Sequence, residues 1–375
     1  MSKCPHRTQY LKALSIALAL TCSISAQETQ LSGSVGLYGK YNSNLTLIDE
    51  NKTNLDQKDA PIAELRGELD IARSWGADWF LDWALSSQGN LHGEHGEENW
   101  YFNRSYLSLG RVLGENSLNF SSEVRHWGQP DDNRFNFFRH TGILSYRHTF
   151  SPLWQLRVGA QSTLTRYPHT SPLNYRVNGG FVEVSNAWST NFSTYYSLDL
   201  QLYAGTADPQ ENNPNTAPED GVRQTLRAGF DWHLSGYRLL SGSYMLQNDN
   251  SGQDEKDGSS VQIGDFEGYE DSQDSEAEFD LHKHKFTLLY SHRLNPRLTL
   301  SFYEEFIYKF WEDEDDPVPV EARDDLLFLS SAFLKYKWRD NLHLRLRYLY
   351  RMNESTAQTN DYVDHIFFVG PEFRF

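Results

Sequence analysis

The sequence predicts an all-β protein in one domain: a transmembrane, antiparallel, up-and-down β-barrel of about sixteen strands. Three observations carry that expectation. Short segments alternate apolar and polar residues with a period of two, and the last of them runs to the final residue. Connections between the segments alternate in length, short then long. The chain is also too polar for helical spans, at 38% hydrophobic residues and a mean hydropathy of -0.65, yet it is 14% aromatic. A barrel strand turns only half its residues to lipid, so low mean hydropathy with many rings suits it.

The N-terminus carries an export signal. Lys3, Arg7 and Lys12 precede the apolar run Ala13 to Leu20, and the small residues Ser23, Ser25 and Ala26 follow. Residues 1–26 therefore read as a signal peptide cleaved after Ser25 or Ala26, with an apolar run too short to span a bilayer. Cys4 and Cys22 both lie inside it, so residues 27–375 have no thiol, disulfide or thiolate metal site. Without the three cations of that segment, the net charge of -17 becomes -20. Such acidity argues against nucleic acid as a partner.

Residues 27–375 read as a single barrel. Leu31, Gly33, Val35, Leu37, Gly39 and Tyr41 form one apolar face against Ser34, Gly36, Tyr38 and Lys40. Next, Leu65, Gly67, Leu69 and Ile71 oppose Glu64, Arg66, Glu68 and Asp70. After the tight link at 74–77, Trp79, Leu81, Trp83 and Leu85 share a face. Further strands are expected at about 99–111, 116–127, 136–150, 153–167, 175–187, 192–204, 222–235 and 237–248, then 281–294, 297–311, 325–338, 341–352 and 363–375. Long polar connections are expected near 43–60, 87–98, 128–135, 168–174, 205–221, 249–280, 312–324 and 353–362. Simple alternation points Glu304 at lipid between Phe302 and Phe306, which demands a bulge or a local partner.

The last strand is the most informative. Phe367, Val369, Pro371, Phe373 and Phe375 line one face, and Phe368, Gly370, Glu372 and Arg374 the other. Gly370, Phe373 and Phe375 resemble the C-terminal assembly signal of Gram-negative outer-membrane β-barrels, with Phe368 in a place usually polar and Pro371 lacking a ladder donor. Hairpins such as Ser145 to Gly159 resemble those of the same barrels, and the likeness covers nearly all of 27–375. It implies a porin-like protein of the bacterial outer membrane with both termini periplasmic and the long loops outside. Its partners would then be outer-membrane lipid and lipopolysaccharide, the barrel-assembly machinery and small hydrophilic solutes. A barrel of this size is expected to leave a water-filled lumen.

One face of the strand at 341–352 carries His343, Arg345, Arg347 and Arg351, opposite Leu342, Leu344, Leu346, Tyr348 and Tyr350. Lipid takes the second set and the first must face the lumen. A turn at 339–341 sets Lys337 against His343 and Lys335 against Arg345, and Arg293, Lys283 and Lys285 add inward cations from nearby strands. This basic wall either guides anions or pairs with lumenal carboxylates and braces the barrel. The bracing candidates are Glu64, Glu68, Asp70, Asp82, Glu123, Asp199 and Asp231. Arg345, turned to the lumen, should tolerate truncation to Ala with little change in stability.

Other chemistry is thin. Two acidic stretches, 249–280 and 312–324, read as solvated loops or as calcium-binding surfaces, and the first is long enough to enter the lumen. The connection from Gly128 to Phe135 is short, unlike the long constricting third loop of general trimeric porins. His92 and His95 are weak metal candidates, so no metal and no cofactor is expected. Asp231 with His233, and Ser145 between His140 and His148, lack the surroundings of an active site, so no enzyme is expected. The leading function is an outer-membrane channel for passive diffusion of small hydrophilic solutes, with anions such as acidic sugars favoured. The alternatives are the barrel of an export or surface-assembly system and, third, an outer-membrane hydrolase.

Overall fold

The computed structural model describes residues 29–43, 60–76, 78–92, 99–130, 136–169, 174–205, 221–249, 262–263, 266–267, 280–312, 323–356 and 361–375. The signal segment 1–26, His95 and most of the two acidic stretches lie outside the described residues.

Sixteen strands close into one antiparallel barrel, each paired with its sequence neighbours and the last with the first. They are β1 (Thr29–Asn42), β2 (Ala60–Trp75), β3 (Trp79–His92), β4 (Trp100–Leu113), β5 (Asn116–Gly128), β6 (Phe137–Ser151), β7 (Trp154–Arg166) and β8 (Tyr175–Ser189). The second half comprises β9 (Phe192–Gly205), β10 (Gly221–Ser235), β11 (Arg238–Asp249), β12 (Asp280–Asn295), β13 (Leu298–Glu312), β14 (Arg323–Arg339), β15 (Leu342–Ser355) and β16 (Tyr362–Arg374). Between β11 and β12, Gln262–Ile263 pairs with Phe266–Glu267 outside the barrel sheet. All short turns lie at the barrel end that also holds the start of β1 and the end of β16.

The strands from β4 onward match the expected segments to within a few residues at each end. β3 differs, because it runs on to His92 through residues expected to open a long loop. Its polar run is satisfied inside the sheet: Ser87 Oγ donates to Asn103 Oδ1 at 2.8 Å on the outer face, and Gln88 Nε2 donates to Glu64 Oε2 at 2.8 Å on the inner. Polar pairing across strands replaces the apolar alternation that marks the others.

Alternation sets the two faces. Leu65 is 58% exposed while its neighbour Glu64 is 0%, and Leu346 is 50% exposed while Arg345 is 7%. Exposed tryptophans ring the short-turn end, among them Trp75, Trp79, Trp154, Trp188, Trp232 and Trp338. Arg73 and Arg111 lie over Trp75 and Trp79 at 5.1 and 5.3 Å, an amphipathic belt suited to a membrane interface. Inside, rings lie flat on facing glycines: Phe80 on Gly110, Phe181 on Gly159, Tyr195 on Gly229. A Cβ at any of these glycines would fall within its ring.

The barrel closes through the C-terminal residue. Gly33 N–H donates to Phe375 O and Phe375 N–H donates to Gly33 O, each at 3.0 Å. Register runs from Ser34 opposite Arg374 to Asn42 opposite Ile366, with a gap at Leu37 and Tyr38. Pro371 explains part of that gap, since it offers no N–H to the ladder.

Candidate functional site: the basic lumenal wall of β12–β16

The strands β12–β16 turn their lumenal residues into one continuous wall. The β14–β15 register sets Lys335 opposite Arg345 and Lys337 opposite His343, as the turn at Asp340 and Asn341 requires. Every basic residue predicted for the wall is on this face: Lys283, Lys285 and Arg293 on β12, Lys335 and Lys337 on β14, and His343, Arg345, Arg347 and Arg351 on β15. Lys309 on β13 and Arg374 on β16 join them.

At mid-height the wall is packed rather than wetted. Leu289, Tyr303, Leu329, Phe333 and Leu349 form a buried apolar cluster on the lumenal side, with Ile366 against it. Hydrophobic side chains here remove the stems of the surrounding cations from water and hold their heads at the rim of the patch. Arg345 lies over the Phe333 ring at 5.7 Å.

Several cations are paired. Arg345 reaches Glu372 Oε2 at 2.5 Å, Arg351 Nη2 reaches Asp364 Oδ2 at 2.6 Å, and Lys285 reaches Glu305 Oε2 at 3.0 Å. Glu372 also accepts from Arg374 Nε at 2.6 Å and from the Tyr38 hydroxyl at 2.9 Å. Arg347 donates through Nε to Ser331 Oγ at 3.0 Å. At the turn, Lys337 bonds Asp340 at 2.8 Å and holds that exposed carboxyl below the usual carboxylate range.

The bracing carboxylates are therefore not those that the sequence suggested. Glu372, Asp364 and Glu305 come from within the wall, one strand away from their cations. Of the expected set, Glu64 holds Lys40 and Arg66, Glu123 bridges Arg104 and Arg125, Asp199 accepts from Gln161, and Asp231 accepts from Ser241. The tolerance expected of Arg345 is revised too, because removing it would leave the buried carboxylate of Glu372 with Arg374 and the Tyr38 hydroxyl, one buried ion pair fewer.

Pairing does not neutralise the wall. Leaving the turns aside, ten cations (Lys283, Lys285, Arg293, Lys309, Lys335, Lys337, Arg345, Arg347, Arg351, Arg374) face four carboxylates (Glu305, Asp325, Asp364, Glu372) among its described side chains. Next to the wall round the barrel, β1–β5 turn inward Glu64, Glu68, Asp70, Asp82 and Glu123 against Lys40, Arg66, Arg104 and Arg125. The adjoining strands are thus close to balanced, and the large positive excess belongs to the C-terminal wall.

The remaining predicted residues separate from the wall. Gly370 faces the lumen, where Tyr38 and the Leu37 carbonyl fill the space of a Cβ. Phe373 and Phe375 face outward beside β1, with ring centroids 6.5 Å apart. His92 is buried at the loop end of β3. No group of three metal-ligating side chains occurs among the described residues. His233 lies two residues from the short-turn end of β10, and Asp231 bonds Ser241 at 2.5 Å.

No protein-family model matches the chain, and no curated protein matches it in sequence. Solved structures do. The chain is similar to OmpF of Salmonella typhi, solved in complex with daunomycin, at 12% identity over 92% of this chain and 97% of that one, with a TM-score of 0.55. It is similar to the outer membrane channel DcaP of Acinetobacter baumannii at 12% identity, over 92% and 97% of the two chains, with a TM-score of 0.52. CdiB from Acinetobacter baumannii gives a TM-score of 0.52 at 11% identity over 94% of this chain, which spans only 61% of that one. These likenesses establish the fold, a closed antiparallel barrel of the kind those outer-membrane proteins share.

Proposed function

We propose that this chain is an outer-membrane channel through which small hydrophilic solutes diffuse passively, with anions, acidic sugars among them, favoured over cations. The observation that carries the reading is the positive excess on the lumenal wall of β12–β16, ten cations against four carboxylates. Charges lining a lumen act on a passing ion at close range, whereas at about 0.15 M salt the Debye length is about 8 Å. The acidity of the whole chain is therefore no obstacle to an anion-attracting interior. The short-turn end, which holds the start of β1 and the end of β16, faces the periplasm in this reading.

Purified protein reconstituted in a planar bilayer tests it. Stepwise conductance with a reversal potential displaced toward the chloride potential in a KCl gradient is the expected result. A closed, non-conducting barrel would end the channel reading and leave the export-barrel alternative in its place.

A further inference from the structure

On strands apart from the wall, the loop-side third of β4–β6 turns a row of arginines into the lumen. Arg104 on β4 stands opposite Arg125 on β5, and Arg125 stands opposite Arg139 on β6. Neutral residues flank the row, Ser86 opposite Arg104 and Thr165 opposite Arg139. Like charges that face each other across a ladder destabilise it. One carboxylate, Glu123, bridges two of the three, with Arg104 Nε at 2.6 Å from Oε2 and Arg125 Nε at 2.5 Å from Oε1. Arg139 donates from Nε to Thr165 Oγ1 at 3.1 Å and from Nη2 to the Tyr175 hydroxyl at 2.8 Å. Two guanidiniums on one carboxylate leave a positive excess, and the Arg104 and Arg125 side chains keep 28% and 20% exposure.

A row of rings lies one step nearer the loops. Phe102, Trp127 and Phe137 are likewise ladder neighbours, each two residues from the arginine on its own strand. The Trp127 and Phe137 rings stack at 6.2 Å and 16°, and Tyr167 lies beyond Phe137 at 6.1 Å. Phe102, Trp127 and Tyr167 are half-buried, so ring surface stays open toward a polar lumen. Two residues along a strand span about 7 Å, the reach of a six-membered ring acid and one hydrogen bond. Aromatic faces take the apolar face of another ring, and a guanidinium fork takes a carboxylate through two parallel bonds. A solute arriving from the loop side meets the rings first and the guanidiniums next.

We propose that these two rows form a binding site for ring-bearing carboxylates, with the ring against Phe102 and Trp127 and the carboxylate on Arg104 and Arg125. The proposal names the solute class of the channel and rests on the channel reading for its task, which is to load such acids at the loop-side mouth. Neither row accounts for the other alone. A small inorganic anion leaves the rings unused, and a neutral sugar leaves the arginine row unscreened. Sugar acids and aryl acids share the required chemistry, a ring face beside a carboxylate, and the choice of probe separates them. The site is distinct from the wall of β12–β16, which has no such row of rings beside its cations at the loop side.

Equilibrium dialysis of the purified barrel in detergent tests the site without any current. The probes are glucuronate and benzoate, which carry ring and charge, lactate, which carries charge alone, and glucose, which carries a ring alone. At least one ring acid should be retained about tenfold more tightly than lactate or glucose, the worth of one charge-assisted hydrogen bond, and which acid it is names the source. Arg125→Gln should weaken that retention about tenfold. Arg125→Lys keeps a cation beside Glu123 without the planar fork and should weaken it too. Trp127→Leu should bring the ring acid down to the level of lactate and leave lactate unchanged. Heat-modifiable gel mobility checks that each variant folds, and the four-probe comparison on the wild type decides even where a variant does not. Equal retention of all four probes overturns the proposal, as does a folded Arg125→Lys or Trp127→Leu that retains the ring acid like the wild type. A barrel that retains a ring acid but passes no current ends the channel reading and upholds the site, whereas one that conducts and retains no ring acid does the reverse.

Discussion

Tyr38 and Glu372 stand 334 positions apart in the chain, yet the Tyr38 hydroxyl donates to Glu372 Oε2 at 2.9 Å inside the closed barrel. The tyrosine ring stacks on Phe368 at 4.3 Å and occupies the space that Gly370 leaves open. The same carboxylate takes Arg345 and Arg374, so one 2%-exposed group ties β1, β15 and β16 together. Closure of the barrel thus rests on lumenal chemistry as well as on backbone pairing.

Glu372→Gln keeps the shape and removes the charge that compensates buried Arg345. Breaking a buried pair from one side costs about 3–5 kcal/mol, so the guanidinium midpoint in lipid vesicles should fall clearly. Tyr38→Phe loses one hydrogen bond and should cost about 1 kcal/mol. Equal midpoints for Glu372→Gln and wild type would remove Glu372 from its place at the seam.

Selectivity should reside in the cations that keep partial exposure. Lys335 and Arg347 are half-buried, whereas Arg345 and Arg351 are buried in ion pairs. Replacing Lys335 and Arg347 with Gln should move the reversal potential in a KCl gradient toward the potassium potential, with less effect at 1 M salt, where screening acts within about 3 Å. Arg345→Ala should instead lower stability. The opposite assignment, an Arg345 variant that is stable and selectivity-altered, would mean that Glu372 braces nothing.

Much of this was legible in the sequence because a period of two cannot hide a face. One strand with Leu344, Leu346 and Tyr348 against Arg345, Arg347 and Arg351 fixes which side is wet, and each short turn fixes the next register. The partners of the wall were not legible. Asp364 and Glu372 lie across a connection longer than a tight turn, and nothing in that connection sets which residue of β16 meets Arg351. The end of β3 was hidden for a different reason, since its hydrogen-bonded Ser87 and Gln88 read like loop residues.

Glu304 resolves in favour of a local partner. Around Glu304 the register is unbroken on both sides, the one shift against β12 lying at the turn end between Arg293 and Asn295, and Ser330 Oγ donates to its Oε1 at 2.9 Å on the outer face. One hydroxyl is poor compensation for a lipid-facing carboxyl, so Glu304→Leu should raise the unfolding midpoint. By contrast, Leu346→Arg places a charge in the band and should cost about 2–4 kcal/mol. Guanidinium titrations of both variants in vesicles give the ranking, and a less stable Glu304→Leu would show that the carboxyl has a structural task of its own.

Phe375 combines two duties that truncation and substitution separate. Its N–H and C=O make the last two ladder bonds to Gly33, and its ring lies against Gly33, where a Cβ would meet Cζ at 2.6 Å. Deleting Phe375 removes both bonds and the ring, while Phe375→Ala removes the ring alone. If the terminus is only a structural closure, folding into pure lipid vesicles should fall in the order wild type, Phe375→Ala, deletion, and the amount inserted in cells should fall in the same proportion. If the outward pair Phe373 and Phe375 also serves as an assembly signal, Phe375→Ala should fold nearly as well as wild type in vesicles yet reach the outer membrane poorly. We expect the second pattern, because a ring 55% exposed on the lipid face contributes little packing to the barrel itself. Heat-modifiable gel mobility, read for vesicles and for the outer-membrane fraction, distinguishes the two, and parallel losses in both settings would reduce Phe375 to a structural residue.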